Sequence, residues 1–155
     1  MKVYVVGAGA VGRYLGELLR ASGNDISYAP RELAAVEPFA ADLAIVAVKA
    51  YDTDGAIETL RRALGASPSA AIVTPQNGVG NEEKLAAAFG ADPIVACALT
   101  VPVETDRNGQ PLAANAGGIA FAPVGNSAHN WLMPTFSAAG LAVTSAADYR
   151  SLKWS

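Results

Sequence analysis

Short apolar runs alternate with amphipathic stretches through the first hundred residues of the chain. Val3-Tyr4-Val5-Val6 is a β-branched and aromatic run stopped by Gly7, which suits a buried strand of a parallel sheet. Val11, Leu15, Leu18 and Leu19 then fall at i, i+4, i+7 and i+8, predicting a helix that stops near Gly23. Residues 25–29 read as a second strand, and 43–48 as a third, almost wholly apolar as a strand covered on both faces should be. Ala56, Ile57, Leu60, Ala63 and Leu64 recur at helical spacing, with Thr53 or Asp54 available to cap the start and Asp52 and Asp54 suited to its positive end. Residues 71–74 are the next strand. A helix follows from Asn81 through Phe89, with Leu85, Ala88 and Phe89 facing inward, and 94–101 is another apolar strand.

This βαβαβαβ alternation predicts an α/β fold of Rossmann type, a doubly wound, mostly parallel sheet with helices on both faces. The turn cluster Asp106-Arg107-Asn108-Gly109 breaks the rhythm and predicts an antiparallel edge hairpin, with 100–104 pairing with 119–124. Residues 128–139 have helical content, but Pro134 predicts that this helix is short or kinked. Residues 141–144 read as a last strand. These elements make one dinucleotide-binding domain over 1–147.

Composition narrows the function classes. A length of 155 residues with 52% hydrophobic and 16% charged residues suits one domain with a substantial core. A net charge of −3 without a basic stripe argues against nucleic acid as a partner. The apolar start at Met1 to Val6 ends too early for a signal core or a membrane span, so no membrane role is expected. Cys97 is the only cysteine, so no disulfide can form within the chain; no metal site is expected, and a reducing, cytoplasmic setting fits.

The candidate chemistry begins at Gly7-Ala8-Gly9-Ala10-Val11-Gly12. A G-x-G-x-x-G taken alone is weak, but this one follows a predicted strand and opens a predicted helix, the context in which it holds a dinucleotide pyrophosphate. Gly7 permits the tight turn, Gly9 a close approach of backbone to phosphate, and Gly12 close packing of helix on strand. At the end of the second strand, Ser27-Tyr28-Ala29-Pro30-Arg31-Glu32 offers no acid for a ribose hydroxyl, and Arg31 precedes Glu32. That favours NADP over NAD; the alternative is that both charges are merely solvated. Lys49 ends the most apolar strand, and Gln76-Asn77-Gly78-Val79-Gly80 follows the next one, both at carboxyl strand ends where ligands of open α/β sheets bind. Their other readings are a snorkelling lysine and an Asn-Gly turn. His129, the only histidine, has no acid or nucleophile near it in the chain, so no catalytic role is assigned to it. No nucleophile elbow or Walker-type loop is present.

Together GAGAVG at 7–12, VAVKAYDT at 46–53 and QNGVGNEE at 76–83 resemble the ketopantoate reductase (2-dehydropantoate 2-reductase) family. Asp148 to Ser155 is similar to that family's entry into its helical domain, so the resemblance implies that 148–155 is the start of a connection into a helical C-terminal domain that the chain does not include. The resemblance implies an oxidoreductase of pantothenate biosynthesis, with hydride transfer from NADPH to a small 2-oxo acid such as 2-dehydropantoate. It places Gly7 to Gly12 on the pyrophosphate, Arg31 on the 2′-phosphate, and Lys49 and Asn77 around the nicotinamide ribose, with Asn77 also meeting substrate. Two departures stand out. Only ten residues separate Arg31 from Asp42, fewer than the family usually carries. The family's proton-donating lysine follows the tryptophan of this last motif by two positions; the chain ends one position after Trp154, and Lys153 is not its match. The catalytic residues are therefore unknown, and the chain alone is expected to be inactive. Rival readings are a non-catalytic NAD(P)-sensing or interaction module, with Trp131 and Trp154 on its exposed face, and a reductase of another small 2-oxo acid. The expected protein partner is a second copy of the chain or a helical C-terminal domain.

Overall fold

The computed structural model describes residues 1–66, 68–113 and 117–154. Its strands are β1 (Lys2–Val6), β2 (Asp25–Tyr28), β3 (Leu43–Val46), β4 (Ala71–Thr74), β5 (Ile94–Leu99), β6 (Val103–Thr105), β7 (Pro111–Ala113), β8 (Gly118–Pro123) and β9 (Ala142–Ser145). The helices are α1 (Ala10–Ala21), α2 (Thr53–Leu64), α3 (Asn81–Phe89), α4 (Leu132–Ala138) and α5 (Tyr149–Trp154). Seven strands form one sheet in the order β2-β1-β3-β4-β5-β8-β9. The first five are mutually parallel, β8 runs antiparallel to β5, and β9 is parallel to β8.

The period of two along each strand divides the core into two layers. Val3, Val5, Leu43, Ile45, Val73, Val95 and Cys97 meet Leu15 and Leu19 of α1 and Leu132 and Phe136 of α4 on one face. Tyr4, Val6, Ala44, Val46, Ile72 and Ile94 meet Ile57 and Leu60 of α2 and Leu85 and Phe89 of α3 on the other. All four residues of β3 and of β4 are buried, as strands sandwiched between helical layers must be. This is the expected Rossmann-type architecture with an antiparallel edge.

The hairpin's composition differs from expectation. Residues 100–104 do not pair with 119–124; Thr100 meets Gly118 instead, its N–H donating to the Gly118 carbonyl at 3.0 Å and its Oγ1 accepting from the Gly118 N–H at 2.9 Å. Instead β8 lies along β5, with Cys97 opposite Phe121, while Val103–Thr105 folds back on Pro111–Ala113 in a separate two-stranded sheet. The turn itself dictates this: Asp106 Oδ1 accepts from the Asn108 and Gln110 N–H groups, each at 2.8 Å, and the hairpin closes on its immediate flanks. The backbone edge of buried β5 needs a partner, and β8 supplies it. Pro134 is harmless because α4 starts at Leu132, placing the proline in a first turn whose N–H groups have no intrahelical acceptor.

At α2 no side chain caps the start. Thr53 is fully buried and turned inward, where Gln76 Nε2 donates to its hydroxyl at 2.9 Å, so it is committed to the interior. Asp54 lies in the first turn and pairs with Lys84 of α3 at 3.3 Å.

Candidate functional site at the carboxyl ends of the strands

The sheet order reverses at β1, which has β2 on one side and β3 on the other, so the loops after β1 and β3 leave in opposite directions and open a crevice. Gly7 turns there with φ +102°, a value L side chains rarely adopt. A Cβ at Gly7 would also lie 2.7 Å from the Ala47 backbone, and one at Gly12 would collide with the Gly7 carbonyl oxygen. Two loops and a helix thus meet through backbone alone. Gly9 is different: a Cβ there would meet nothing within 4 Å. It precedes α1, whose first turn carries no acid, so the helix's unpaired N–H groups present an uncompensated positive end.

The crevice widens into a cleft of about 1040 Å³, lined among others by Gly7, Gly9, Ala10, Val11, Lys49 and Asn77. Six of the sequence candidates therefore converge from three separate loops. Ala8 and Gly12 belong to the same turn without lining the cleft, Gly12 being buried beneath it. Arg31 is exposed just beyond β2, outside the lining. Lys49 and Asn77 are both exposed, each in the loop just past the end of its strand. Leu99 to Glu104 forms the facing rim. His129 lies elsewhere, with φ +45° and Nε2 2.7 Å from the Asp92 carbonyl oxygen.

Under the Lys49 and Asn77 loops runs a buried polar network that the sequence reading did not assemble. Gln76 Nε2 donates to the Val48 carbonyl at 3.1 Å and to Thr53 Oγ1, while Thr74 Oγ1 donates to Gln76 Oε1 at 2.9 Å. The Thr53 hydroxyl lies 2.9 Å from the Ala50 carbonyl and 3.0 Å from Asn81 Oδ1, and its single proton serves one of them at a time. Asn81 Nδ2 donates to the Asn77 carbonyl at 3.3 Å. The network ties the loop after β3 to the loop after β4, so the two candidate side chains leave a common platform. On the opposite flank Arg13 donates to the Ala8 carbonyl at 2.9 Å and the Gly109 carbonyl at 3.1 Å, joining the glycine turn to the β6–β7 hairpin.

Beside the network Lys153 of α5 reaches in. Its Nζ lies 3.1, 2.6 and 2.8 Å from the carbonyl oxygens of Thr74, Gln76 and Cys97, and 3.1 Å from Glu82 Oε1. The two side chains are 5% and 1% exposed. One signal in the sequence points to Glu82: with Leu85 and Phe89 it stands at i, i+3 and i+7, an acid on the inward face of α3. Burial pushes the neighbouring Cys97 thiol up to about 12, despite the opposing charge of Lys153. Among the described residues no group of three or more His, Cys, Asp or Glu side chains is placed to hold a metal, and no helix is long and apolar enough to cross a membrane.

Residues 26–126 match the family described as ketopantoate reductase PanE/ApbA, about two thirds of the chain and including the Lys49 and Asn77 loops. The chain belongs to the ketopantoate reductase PanE/ApbA family. A relative named 2-dehydropantoate 2-reductase, from Archaeoglobus fulgidus, is 34% identical over 55% of this chain and 35% of its own. The solved 2-dehydropantoate 2-reductase of Geobacter metallireducens GS-15 superposes with a TM-score of 0.86 at 25% identity, over 99% of this chain and 60% of that one. A PanE/ApbA family ketopantoate reductase from Ralstonia eutropha JMP134 gives 0.82 at 26% identity, over 99% and 59%. The chain thus spans 35% of the length of its archaeal relative and about 60% of these solved ketopantoate reductases. Both superpositions include the glycine turn, which precedes the matched family segment.

Proposed function

We propose that this chain is the NADPH-binding domain of a ketopantoate-reductase-like oxidoreductase that reduces a small 2-oxo acid such as 2-dehydropantoate. The observation that carries the reading is the convergence of the glycine turn, Lys49 and Asn77 on one cleft at a topological switch point. The residues fit a dinucleotide. Gly9 leaves open space before an α1 terminus free of acids, where a pyrophosphate would be stabilised by backbone N–H groups. Gly7 to Gly12 would hold the pyrophosphate, Arg31 the 2′-phosphate, and Lys49 and Asn77 the region around the nicotinamide ribose. When bound, the cofactor supplies a hydride for a carbonyl carbon.

The chain's own residues orient and exclude. The Gln76 network holds the Lys49 and Asn77 loops in fixed relation, and Leu99 to Glu104 walls off the facing side. The proton for the new alkoxide belongs, in this reading, to a helical C-terminal domain, and the chain alone turns over little substrate. A reducing, cytoplasmic setting suits the free, buried Cys97. Fluorescence titration tests the proposal: NADPH should bind, and more tightly than NADH, with Arg31→Ala reducing the preference. Binding of neither dinucleotide sinks it; equal binding of both removes the role given to Arg31.

A further inference from the structure

Lys153 stands out because nothing in the cleft chemistry uses it. β4 and β5 are in register as far as Thr74 opposite Ala96, after which the chain following β4 turns away. The carbonyls of Thr74, Gln76 and Cys97 at this divergence converge on the Lys153 ammonium. Three protons meet three backbone acceptors, and both oxygens of buried Glu82 are left without a hydrogen bond among the described residues. Glu82 therefore acts as a counter-charge, not as the group that orients the ammonium. A lysine this deeply buried costs several kcal/mol in lost hydration unless paired, and it is a costly way merely to attach a short helix. Yet α5 has another attachment. The Tyr149 hydroxyl donates to Glu83 of α3 at 3.0 Å, while Asp148 caps the helix's own first turn, accepting from the Ser151 N–H and hydroxyl, which with the Arg150 N–H hold its carboxyl below its ordinary range.

We propose that Lys153 is a positioning residue for the cofactor cleft: its ammonium takes the place of a strand partner where β4 and β5 part, fixing the Gln76–Asn77 peptide and with it the Asn77 side chain at the cleft edge. The shortest of its contacts, 2.6 Å, is to the carbonyl of that peptide, and Asn81 holds the following carbonyl at 3.3 Å. The loop is thus pinned from both sides, once by a residue of α3 and once by a residue 77 positions further along the chain. α5 and the cofactor loop consequently share one anchor, and a change in the seating of α5 reaches Asn77 directly. The inference rests on the reading of the cleft as a dinucleotide site, but its structural half can be measured without a ligand.

The test compares three chains: wild type, Lys153→Met, and Lys153→Met with Glu82→Leu. Removing both charges replaces a buried pair by apolar volume, a change that often leaves stability intact, so the double variant keeps stability that the single one loses. In ¹⁵N spectra the Asn77 and Ala98 amides report directly, since each shares a peptide unit with a carbonyl that Lys153 polarises. Both cross-peaks should shift in the double variant, and its NADPH dissociation constant should rise about ten-fold, measured well below its melting temperature. Tyr149→Phe, which loses one exposed contact of α5, should change neither. A double variant with unmoved Asn77 and Ala98 cross-peaks, or with moved cross-peaks and unaltered NADPH affinity, overturns the proposal and leaves Lys153 a structural tether. If the wild-type chain binds no dinucleotide, the functional reading fails, and the Asn77 and Ala98 cross-peaks alone then decide whether Lys153 holds the loop.

Discussion

The two walls of the cleft are built by opposite means. At the crevice between β1 and β3 the structure removes side chains: Gly7 and Gly12 let backbone lie against backbone, and any Cβ is an intruder. On the other side it adds them: Thr53, Thr74, Gln76 and Asn81 tie the loops after β3 and β4, and the Lys153–Glu82 pair fills the gap where β4 and β5 part. The first wall owes its shape to steric exclusion and tolerates no added atom at Gly7 or Gly12. The second owes it to hydrogen bonds that converge on Gln76 and Lys153, with Glu82 as a buried counter-charge. Both keep neighbouring strand ends in a fixed relation, and they should fail differently.

The largest effect is expected at the second wall. Lys153→Met alone leaves Glu82 buried without a counter-charge and should cost about 4 kcal/mol, read as a fall of roughly 12 °C in thermal midpoint. An unchanged midpoint would show that the pair carries no net weight. Next comes Gly12→Ala. Alanine is better than glycine in a helix by about 1 kcal/mol, but its methyl would meet the Gly7 carbonyl, a backbone atom that can yield only by moving the turn. Overpacking should win, with a net loss of about 2 kcal/mol by urea denaturation; a stabilised variant would mean that the first wall is looser than drawn.

A smaller effect belongs to pH. The Cys97 thiol, pushed up to about 12 by burial, keeps its proton while that of the unfolded chain ionises near the ordinary value. Above that ordinary value the unfolded state binds fewer protons than the folded one, so stability falls as pH rises towards 12. Raising the pH from 8 to 10 should remove about 1.5 kcal/mol of wild-type stability that Cys97→Ala does not lose. Parallel pH profiles for the two would refute it. The smallest change in stability is expected for Gly9→Ala, within about 0.5 kcal/mol, because a Cβ there meets nothing. NADPH binding should nonetheless weaken about ten-fold. If affinity is retained, the phosphates do not lie over Gly9.

The contrast also explains what could be read from the sequence. The first wall is local: Gly7, Gly9 and Gly12 sit within six residues, between a strand and a helix whose periodicities are plain, so the turn and its geometry were legible together. Lys49 and Asn77 were placed by a topological rule about strand ends, which needs only the order of elements. The second wall joins residues 53, 76, 81, 82 and 153, and no spacing links them; Lys153 in particular shows its use only when the carbonyls of two strands converge on it. The misplaced hairpin has a related cause. Residues 100–104 and 119–124 both have strand-like content, but pairing is decided by which edge is left open, here that of β5, and by a turn tight enough to close on its own flanks.

The anchoring of α5 bears on how this unit can be handled as a module. The cut that suggests itself lies ahead of Asp148, where the sheet is complete and the last helix looks like an appendage. Trimmed there, the unit would keep every strand and every cleft-lining residue yet carry an acid in its interior with its cation gone. A graft onto another protein, or a split into complementing fragments, needs its seam beyond Trp154.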